Sequence, residues 1–522
     1  MNLFRRTRYL LALAALLLST SARAELIFPV NESGTGAFTF DQPTGVLDGS
    51  TVHVAFIGDA AGTGQFSLYY AAINGAADLT NQATTRAQVL ITPAVAIDNG
   101  AAYTDARHPR VQLLGPGQVV IVFQAIPAGA TDYKLFLALV TVANNAVQTQ
   151  TVREITDPVT GRMAGRLIDP SFGLVVPERA ARVAYTDNTA GNVYCARIAV
   201  DNASLVGSPI LLTPTAQTRG ITPLPGLAVD SQNRTHIAWA ANNALGTPSD
   251  IYYAMVHEAG AIDNLAIGAT SILYGGFRWG FPSVLLPANN GIPRTNSVLV
   301  VAADDPLETS GLATTVGVAM VAPDAVTPDG NPVGPGNLIS GQTFLVSPPG
   351  SSPLADTFSA YHPGAAIDSS NRVHVSGYGF LAPGNLGSAG SYYTMDLLGV
   401  TTAPITGYPT TEAVLSSPRE PVGTGTLAYA TTLPGDYTRT AFVHMNTRAF
   451  LFWSAQDNVV SGAHNLYVTS ALSSTDLVGA STGCSTVAGP GERNGEIPWA
   501  ALLLLPAVLL LLRRAARKAL AR

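Results

Sequence analysis

The chain has 522 residues, with 28 Lys and Arg against 34 Asp and Glu, and only two cysteines, Cys195 and Cys484. An excess of acid argues against nucleic acid or anionic lipid as the partner, and two cysteines cannot build a disulfide framework. A chain of this length exceeds one ordinary hydrophobic core, so it forms either several domains or one repeat architecture.

The N-terminal segment, 1–24, has the three parts of a secretory signal peptide. Three arginines lie within residues 5–8, an apolar run covers 9–18, and a small-x-small cleavage motif covers 22–24. We therefore expect signal peptidase to cut after Ala24. Without the nine basic residues of the two termini, residues 25–512 hold 19 basic and 34 acidic residues, a net charge of −15.

A repeat is visible in the middle of the chain. The segment PGLAVDSQNRTHIAW at 225–239 recurs as PGAAIDSSNRVHVSG at 363–377, with eight of fifteen positions identical. One more unit of similar length fits between the two copies. Each copy predicts a strand, a tight Asp-Ser-x-Asn turn and a second strand, because Asp and Asn bond nearby backbone and tolerate left-handed geometry.

Weaker copies of the second strand recur along the chain and bring the number of units to seven. They lie at 52–56, 119–123, 181–185, 297–302 and 449–453. A third alternating apolar strand follows each unit. These third strands lie at 67–72, 134–139, 192–197, 250–255, 316–321, 391–396 and 465–470.

Short strands that recur at regular intervals, with 50 glycines and 35 prolines in the chain and no long amphipathic helix, predict an all-β fold over residues 25–475. We interpret it as a β-propeller of seven four-stranded blades; six blades fit if the first or last unit is only a cap. Tandem small sandwiches are the alternative, but immunoglobulin-like domains need about 100 residues each, more than one repeat unit provides.

Two further segments interrupt or follow the repeats. Residues 324–360 are rich in Pro, Gly and Ser and are predicted to be a long inserted loop between the fifth and sixth units. Residues 476–496 are polar, contain Cys484 and are predicted to be a tether.

The chain closes with a short apolar stretch and a basic cluster. Residues 497–512 are fewer than the roughly 20 that cross a hydrocarbon core, and the five basic residues after them predict a cytoplasmic terminus. The order TGCSTVAGPGERNGE, IPWAALLLLPAVLLLL and RRAARKALAR resembles the Cys-containing MYXO-CTERM and JDVT-CTERM sorting signals of bacterial surface proteins. The resemblance implies a C-terminal sorting protease, and attachment at Cys484 in the cell envelope; a plain single-pass anchor is the alternative.

The repeat body resembles the sialidase-like superfamily of exported bacterial proteins, in which a strand, an Asp-Ser turn, a His-containing strand and a Tyr-Tyr strand recur. The likeness is strongest at 222–257 and 361–396. The chain has no Ser-x-Asp-x-Gly-x-Thr-Trp box, and GIPRTN at 291–296 has the letters of the Arg-Ile-Pro motif in another order. Neither an arginine triad nor a tyrosine nucleophile is assignable, so the resemblance implies the fold and leaves catalysis open.

Polar and aromatic residues at one end of the predicted sheets are the candidate ligand site. In a propeller, loops between second and third strands share a face with the loops that lead into first strands. The candidates on that face are Asp59, His108, Asp169, Asp187, Arg278, Trp279, Asp304, Asp305, Tyr361, His362 and Asp457. Such a ring could hold a sugar by stacking and hydrogen bonds, or a calcium ion through oxygen ligands; no other cofactor is expected.

A structural role is the competing interpretation for several of these positions. The Asp residues after second strands could simply accept hydrogen bonds from turn backbone. His53, His236 and His374 share one register in different units, so we expect repeat-specific hydrogen bonds rather than a common metal. Cys195 occupies the third-strand position of Tyr70, Tyr253 and Tyr393 and is predicted to be a buried, inert thiol.

The sequence thus favours an exported, surface-attached propeller that binds a glycan, a protein or an envelope component without catalysis. The alternatives are a glycan-active hydrolase or lyase, which needs two carboxylates in one pocket, and a structural envelope protein.

Overall fold

The structure of the protein is a computed structural model. It describes residues 28–31, 38–76, 86–89, 93–97, 102–143, 146–213, 218–219, 224–242, 249–256, 270–273, 279–286, 298–304, 316–322, 337–344, 361–367, 373–379, 391–397, 441–445, 448–456 and 463–472. The predicted signal peptide, tether and C-terminal segment lie outside these residues. No helix in the described part of the chain is long and apolar enough to cross a membrane.

The described chain is organised as groups of consecutive antiparallel strands. The N-terminal strand is β1 (Phe28–Pro29). The first group contains β2 (Thr39–Asp48), β3 (Thr51–Asp59), β4 (Ser67–Asn74) and β5 (Val95–Ala96), with a short helix at Arg86–Val89. The second contains β6 (Tyr103–Gly115), β7 (Gln118–Pro127), β8 (Lys134–Ala143) and β9 (Ala146–Glu154).

A small hairpin, β10 (Thr156–Asp157) and β11 (Gly161–Arg162), joins the outer edge of the third group through pairing of β10 with β15. The third group contains β12 (Leu167–Val175), β13 (Ala180–Asp187), β14 (Asn192–Ala199), β15 (Ser204–Leu205) and β16 (Ile210–Leu211), with a 3-10 turn at Val176–Glu178. The fourth contains β17 (Thr218–Arg219), β18 (Gly226–Val229), β19 (Thr235–Asn242), β20 (Ser249–Val256) and β21 (Thr270–Leu273).

The fifth group contains β22 (Trp279–Leu285), β23 (Val298–Asp304), β24 (Val316–Ala322) and β25 (Asn337–Phe344). The sixth contains β26 (Tyr361–Ile367), β27 (Val373–Gly379) and β28 (Ser391–Leu397), and the last contains β29 (Ala441–Met445), β30 (Arg448–Gln456) and β31 (His464–Leu472). The predicted second and third strands are all confirmed. The predicted insertion at 324–360 is partly wrong, because β25 lies inside it as the fourth strand of its sheet.

The second strands are apolar along their whole length because neighbouring sheets cover both of their faces. In β3 every residue from Val52 to Asp59 is buried, and β7 is buried from Val119 to Ala125. One core cluster packs the first sheet against the second, and another packs the second against the third. This burial on both faces explains why β7 has Val, Ile and Phe at successive positions from Val119 to Phe123.

The first strands of the groups contact one another in a cycle. Strand β2 contacts β6, β6 contacts β12, β12 contacts β18, β18 contacts β22, β22 contacts β26, β26 contacts β29, and β29 contacts β2. Glycines permit this approach: a Cβ on Gly226 would lie 2.4 Å from the carbonyl oxygen of Pro282 on the next first strand. The described strands therefore form an all-β ring of sheets with the first strands innermost, as in a β-propeller.

The two ends of the described chain meet in the last sheet. Strand β1 pairs antiparallel with β31, so an N-terminal segment supplies the outer strand of the C-terminal sheet. A buried Asn pair supports this join: Asn31 Nδ2 donates to Asn465 Oδ1 at 2.7 Å, and the Leu466 amide donates to Asn31 Oδ1 at 2.8 Å. The ring is thus held closed by hydrogen bonds between the first and the last described strands.

Candidate functional site

Five of the first strands contain a β-bulge at the residue that precedes a proline. The strand register shifts there, between residues 41 and 44, 107 and 110, 168 and 171, 280 and 283, and 361 and 364. The residues before these prolines are Gln42, His108, Asp169, Phe281 and His362. We call the end of the sheets where these bulges lie the bulged end.

Four of these residues have a left-handed backbone. The φ angles are 52° for Gln42, 50° for His108, 56° for Asp169 and 51° for Phe281. Non-glycine residues rarely adopt positive φ, and a following proline further favours extended geometry. Strain of this kind is of order 1–3 kcal/mol per residue and concentrates at functional sites, because surrounding structure must hold it in place.

Side chains of neighbouring sheets hold the bulges in place. The His108 amide donates to Gln42 Oε1 at 2.7 Å, and the Asp169 amide donates to Gln124 Oε1 at 2.5 Å. His108 Nδ1 lies 2.7 Å from Asp169 Oδ1, and both side chains are almost completely buried. The bulges of three successive sheets are thereby connected into one polar network near the innermost strands.

A buried arginine adjoins this network. Burial lowers the pKa of Arg110 to about 10, and the nearby charge of Asp169 opposes that shift. The side chain nevertheless keeps some contact with solvent, and its Nη1 donates to the Pro109 carbonyl at 3.0 Å. Arg110 is therefore a half-buried cation close to Asp169.

A second cluster lies beside the bulges, farther along the same end. The guanidinium of Arg107 stacks 3.8 Å above the ring of Phe66 and pairs with Asp105 at 2.9 Å. The hydroxyl of Tyr133 donates to the other oxygen of Asp105. Burial, followed by the hydrogen bond to Asp105, raises the pKa of Tyr133 to about 12, so the hydroxyl remains a protonated donor.

The segment that leads into β12 completes this cluster. The guanidinium of Arg166 lies over the ring of Tyr133, 5.4 Å from its centroid. The backbone of Arg166 forms two hydrogen bonds with the 188–189 turn. The Arg166 amide donates to Thr189 Oγ1 at 3.0 Å, and the Asn188 amide donates to the Arg166 carbonyl at 2.8 Å. Buried Lys134 Nζ donates to the Met163 carbonyl at 2.8 Å and also to the Gly165 carbonyl.

The opposite end of the sheets, where first strands turn into second strands, is the hairpin end. There Asp230 accepts hydrogen bonds from the amides of Gln232 and Arg234, both at 2.9 Å, and from Arg234 Nε at 2.6 Å. His236 bridges onward, with Nε2 3.1 Å from Asp230 Oδ2 and Nδ1 2.7 Å from the Tyr253 hydroxyl. Burial would raise the pKa of Asp230, but the hydrogen bonds from His236 and Arg234 hold it well below its usual value.

The same arrangement recurs in the first sheet. His53 Nδ1 lies 2.5 Å from the Tyr70 hydroxyl, and Nε2 lies 3.6 Å from Asp48. Burial lowers the pKa of His53, opposed by Asp48. The predicted repeat-specific hydrogen bonding is confirmed for His53 and His236. In the fourth sheet, His236 lies opposite Met255 on the neighbouring strand. In the sixth sheet, His374 lies opposite Asp396, so the strand register there is shifted by one residue.

Several predicted site residues have local roles instead. Asp59 and Asp187 do lie at the bulged end, opposite Thr39 and Leu167 of the first strands. The Asp59 carboxylate accepts from the Gly64 amide at 2.5 Å and from Thr63 Oγ1 at 3.2 Å, and Asp187 accepts from the Thr189 amide at 2.9 Å. These two carboxylates bond their own turns, as the structural interpretation predicted.

The remaining candidates are only partly described. Trp279, Asp304, Tyr361 and His362 have a described backbone, in strands β22, β23 and β26. Arg278, Asp305, Asp457, Ala24 and Cys484 lie outside the described residues. The expectation that His108, Asp169, Trp279, Tyr361 and His362 lie in loops is wrong: all five lie within the first strands, where a bulge permits the chain to continue its pairing.

The prediction for Cys195 is confirmed. The thiol is buried, its strand position matches those of Tyr70 and Tyr253, and burial raises its pKa to about 12. Sequence reasoning missed Gln42, Gln124 and Phe281. For Gln42 and Phe281 the available signal was the recurrence of X-Pro near the start of five first strands, as in DQPTG, RHPRV, IDPSF, GFPSV and YHPGA.

The described residues contain no group of three or more His, Cys, Asp or Glu side chains placed to share a metal ion. A calcium site therefore stays a prediction from the sequence.

No protein-family model matches the chain, and no curated protein matches it. Among solved structures the chain is similar to the phage phi92 endosialidase, with 8% identity, a TM-score of 0.42 and coverage of 91% of this chain and 72% of that one. It is also similar to the Trypanosoma rangeli sialidase (8% identity, TM-score 0.37, 90% and 62% covered) and to an endo-arabinase from Bacteroides thetaiotaomicron (13% identity, TM-score 0.33, 70% and 95% covered). At these scores the likeness carries no argument, and the fold rests on the strand pairing itself.

Proposed function

We propose that this chain is a seven-bladed β-propeller that binds a glycan at its bulged end without catalysis. The blade number is supported by the cycle of contacts among seven first strands and by the pairing of β1 with β31. In this proposal, neither the first nor the last unit is a cap.

The main support for a binding site at this end is that one strained backbone position holds different side chains in different sheets. One equivalent position holds Gln42, His108, Asp169 and Phe281, all with positive φ. At the hairpin end, by comparison, the same residue type recurs in three units, as His53, His236 and His374. These four side chains are buried, so each strained position supports the surface of its sheet with a different group. Sheets that differ in this way suit an asymmetric ligand.

A glycan suits the chemistry of this end. Sugar rings bind to sites that combine aromatic groups with fixed hydrogen-bonding groups. Here Tyr133, Asp105 and two arginines lie beside the bulges. The described carboxylates Asp59, Asp169 and Asp187 are already paired with His108 or with turn backbone. Their engagement favours binding over the proton transfers that a hydrolase requires.

Affinity electrophoresis of the full-length protein through gels that contain single polysaccharides tests this proposal. We expect at least one polysaccharide to retard the wild type, the double variant His108→Gly/Asp169→Gly to migrate freely, and Tyr253→Phe at the hairpin end to behave as wild type. Glycine adopts the left-handed backbone, so the double variant removes both side chains without changing the bulge. Release of reducing ends by the wild type would instead establish the hydrolase, and no retardation by any polysaccharide would exclude glycan binding.

We further propose that the mature chain begins at Glu25 and is attached to the cell envelope through its C-terminal segment. The support is the signal-peptide pattern at 1–24 and the order of Cys484, apolar stretch and basic cluster. Intact mass spectrometry of protein from native envelopes, compared with Cys484→Ala, tests it. Loss of the residues after Cys484 with added mass at that cysteine is expected; an unmodified chain that ends at Arg522 would show an ordinary anchor.

A further inference from the structure

Arg166 is exposed, and its guanidinium lies over an aromatic ring. Its carbon lies 5.4 Å from the Tyr133 ring centroid, and its backbone is bonded to the 188–189 turn on both sides. Among the described residues no carboxylate forms an ion pair with it. Arg107, by contrast, is covered by Phe66 and paired with Asp105.

The support beneath Arg166 is rigid. The side chain of Tyr133 is fixed by the hydrogen bond that its hydroxyl donates to Asp105. Its backbone carbonyl accepts a hydrogen bond from the Leu167 amide at 3.0 Å. Buried Lys134 donates to the carbonyls of Met163 and Gly165, in the loop that precedes Arg166. Because Lys134 donates its hydrogen bonds to backbone carbonyls, it stabilises one conformation of the loop at 163–165. That conformation positions Arg166.

A stacked guanidinium offers a planar fork of N–H groups at its edge. Such a fork matches a carboxylate, sulfate or phosphate with two parallel hydrogen bonds, and stacking reduces the side-chain freedom lost on binding. From these contacts we propose that Arg166 and Tyr133 form an anion subsite that binds the acidic group of a charged polysaccharide. This inference rests on the proposed glycan binding and names the class of glycan.

A polysaccharide fits this surface better than an acidic protein does. The cores of protein interfaces are rich in apolar contact, whereas the large exposed hydrophobic residues of the described chain are Val95, Val159, Val176, Val206 and Leu211, none of them in this cluster. The cluster instead joins the bulged network directly, because Arg107 precedes His108 and Arg166 lies just before Asp169 in the chain. A chain of sugar units can follow that path from the innermost strands outward.

Binding of the full-length protein to four immobilised polymers tests the subsite: polygalacturonate, dextran sulfate, neutral dextran and poly-glutamate. We expect wild type to bind polygalacturonate or dextran sulfate about tenfold more tightly than dextran, which corresponds to one charge-assisted hydrogen-bonded contact. The two acidic polymers distinguish carboxylate from sulfate. Arg166→Gln should remove the preference, and Tyr133→Leu should weaken it by removing the stacking partner.

Arg162→Gln is the matched control, because Arg162, on the β10–β11 hairpin, is also exposed but pairs with Glu154 at the end of β9. It should keep the preference, and all variants should keep the wild-type melting temperature within a few degrees. Equal effects of Arg166→Gln and Arg162→Gln would overturn the subsite. In another outcome, wild type binds dextran and the acidic polymers equally, and His108→Gly/Asp169→Gly loses this binding. That outcome would overturn the subsite and leave the proposed glycan binding intact.

Binding to poly-glutamate alone would replace the glycan by an acidic protein partner. Binding to none of the four polymers, together with no retardation in polysaccharide gels, would overturn both proposals.

Discussion

The two ends of the sheets use buried histidines in different ways. At the hairpin end, His53 and His236 bond a tyrosine of the next strand and lie beside an acid of their own hairpin. Of these two groups, the one at His53 also reaches the neighbouring sheet, where Asp48 accepts from the Gly117 amide at 2.8 Å. At the bulged end, His108 pairs with Asp169 of the neighbouring sheet. Bonds within one unit can be copied with the repeat, whereas bonds between units depend on which neighbour is present. The hairpin end therefore stabilises each sheet, and the bulged end gives the ring an asymmetric surface.

The largest effect is expected from breaking the pair at the bulged end. His108→Gly or Asp169→Gly alone should cost about 3 kcal/mol, because each leaves a buried polar partner without the group it pairs with, although Arg110 offsets part of the loss for Asp169. The double variant should cost no more than either single variant. Urea unfolding of the four proteins measures this coupling. Strictly additive losses would mean that the two side chains do not interact.

A somewhat smaller loss is expected at the hairpin end. Asp230→Ala removes the acceptor of four hydrogen bonds and should cost about 2–3 kcal/mol, with no change in polysaccharide binding. Asp187→Ala is the control at an exposed turn and should cost about 1 kcal/mol. Melting temperatures and affinity gels provide the two readouts. Loss of binding in Asp230→Ala at a temperature where it is folded would contradict the separation of the two ends.

The pH dependence of stability tests the buried histidine His53 at the hairpin end. Burial lowers the pKa of His53 in the folded state, so the unfolded chain takes up a proton near pH 6.5 while the folded chain does not. Stability should therefore fall as the pH drops from 7.5 to 5, with a slope of at most about 1.4 kcal/mol per pH unit from this group. His53→Gln should flatten the melting-temperature profile over that range. An unchanged or steeper profile would mean that Asp48 outweighs burial.

The smallest effect is expected at Cys195, which belongs to neither end. Cys195→Ala should cost about 1 kcal/mol through lost packing, and should leave binding unchanged. Its pKa, raised to about 12 by burial, keeps the thiol protonated, so maleimide should not label it in the folded protein. Rapid labelling of Cys195 under native conditions would show that the third sheet opens readily.

The sequence was sufficient for the elements that depend on local pattern. Alternating apolar residues predicted the second and third strands, and the Asp-Ser-x-Asn turn predicted the hairpins, since both signals lie within a short stretch of chain. The histidine at 236 and the tyrosine at 253 were found as a repeat because they occupy fixed positions in one unit. Strand β25 was missed because its residues, NLISGQTF, are polar and glycine-containing within a Pro/Gly-rich stretch.

Only the tertiary structure decided which residues meet between sheets. His108 and Asp169 lie in different sheets, and their contact depends on bulges that turn both side chains toward the innermost strands. The same holds for Arg166 over Tyr133 and for β1 against β31. Strand pattern and turn chemistry act between near neighbours in the chain and are written in the sequence directly. Contacts between sheets depend on how the sheets pack around the ring, so the pairing of side chains at the bulged end became visible only in three dimensions.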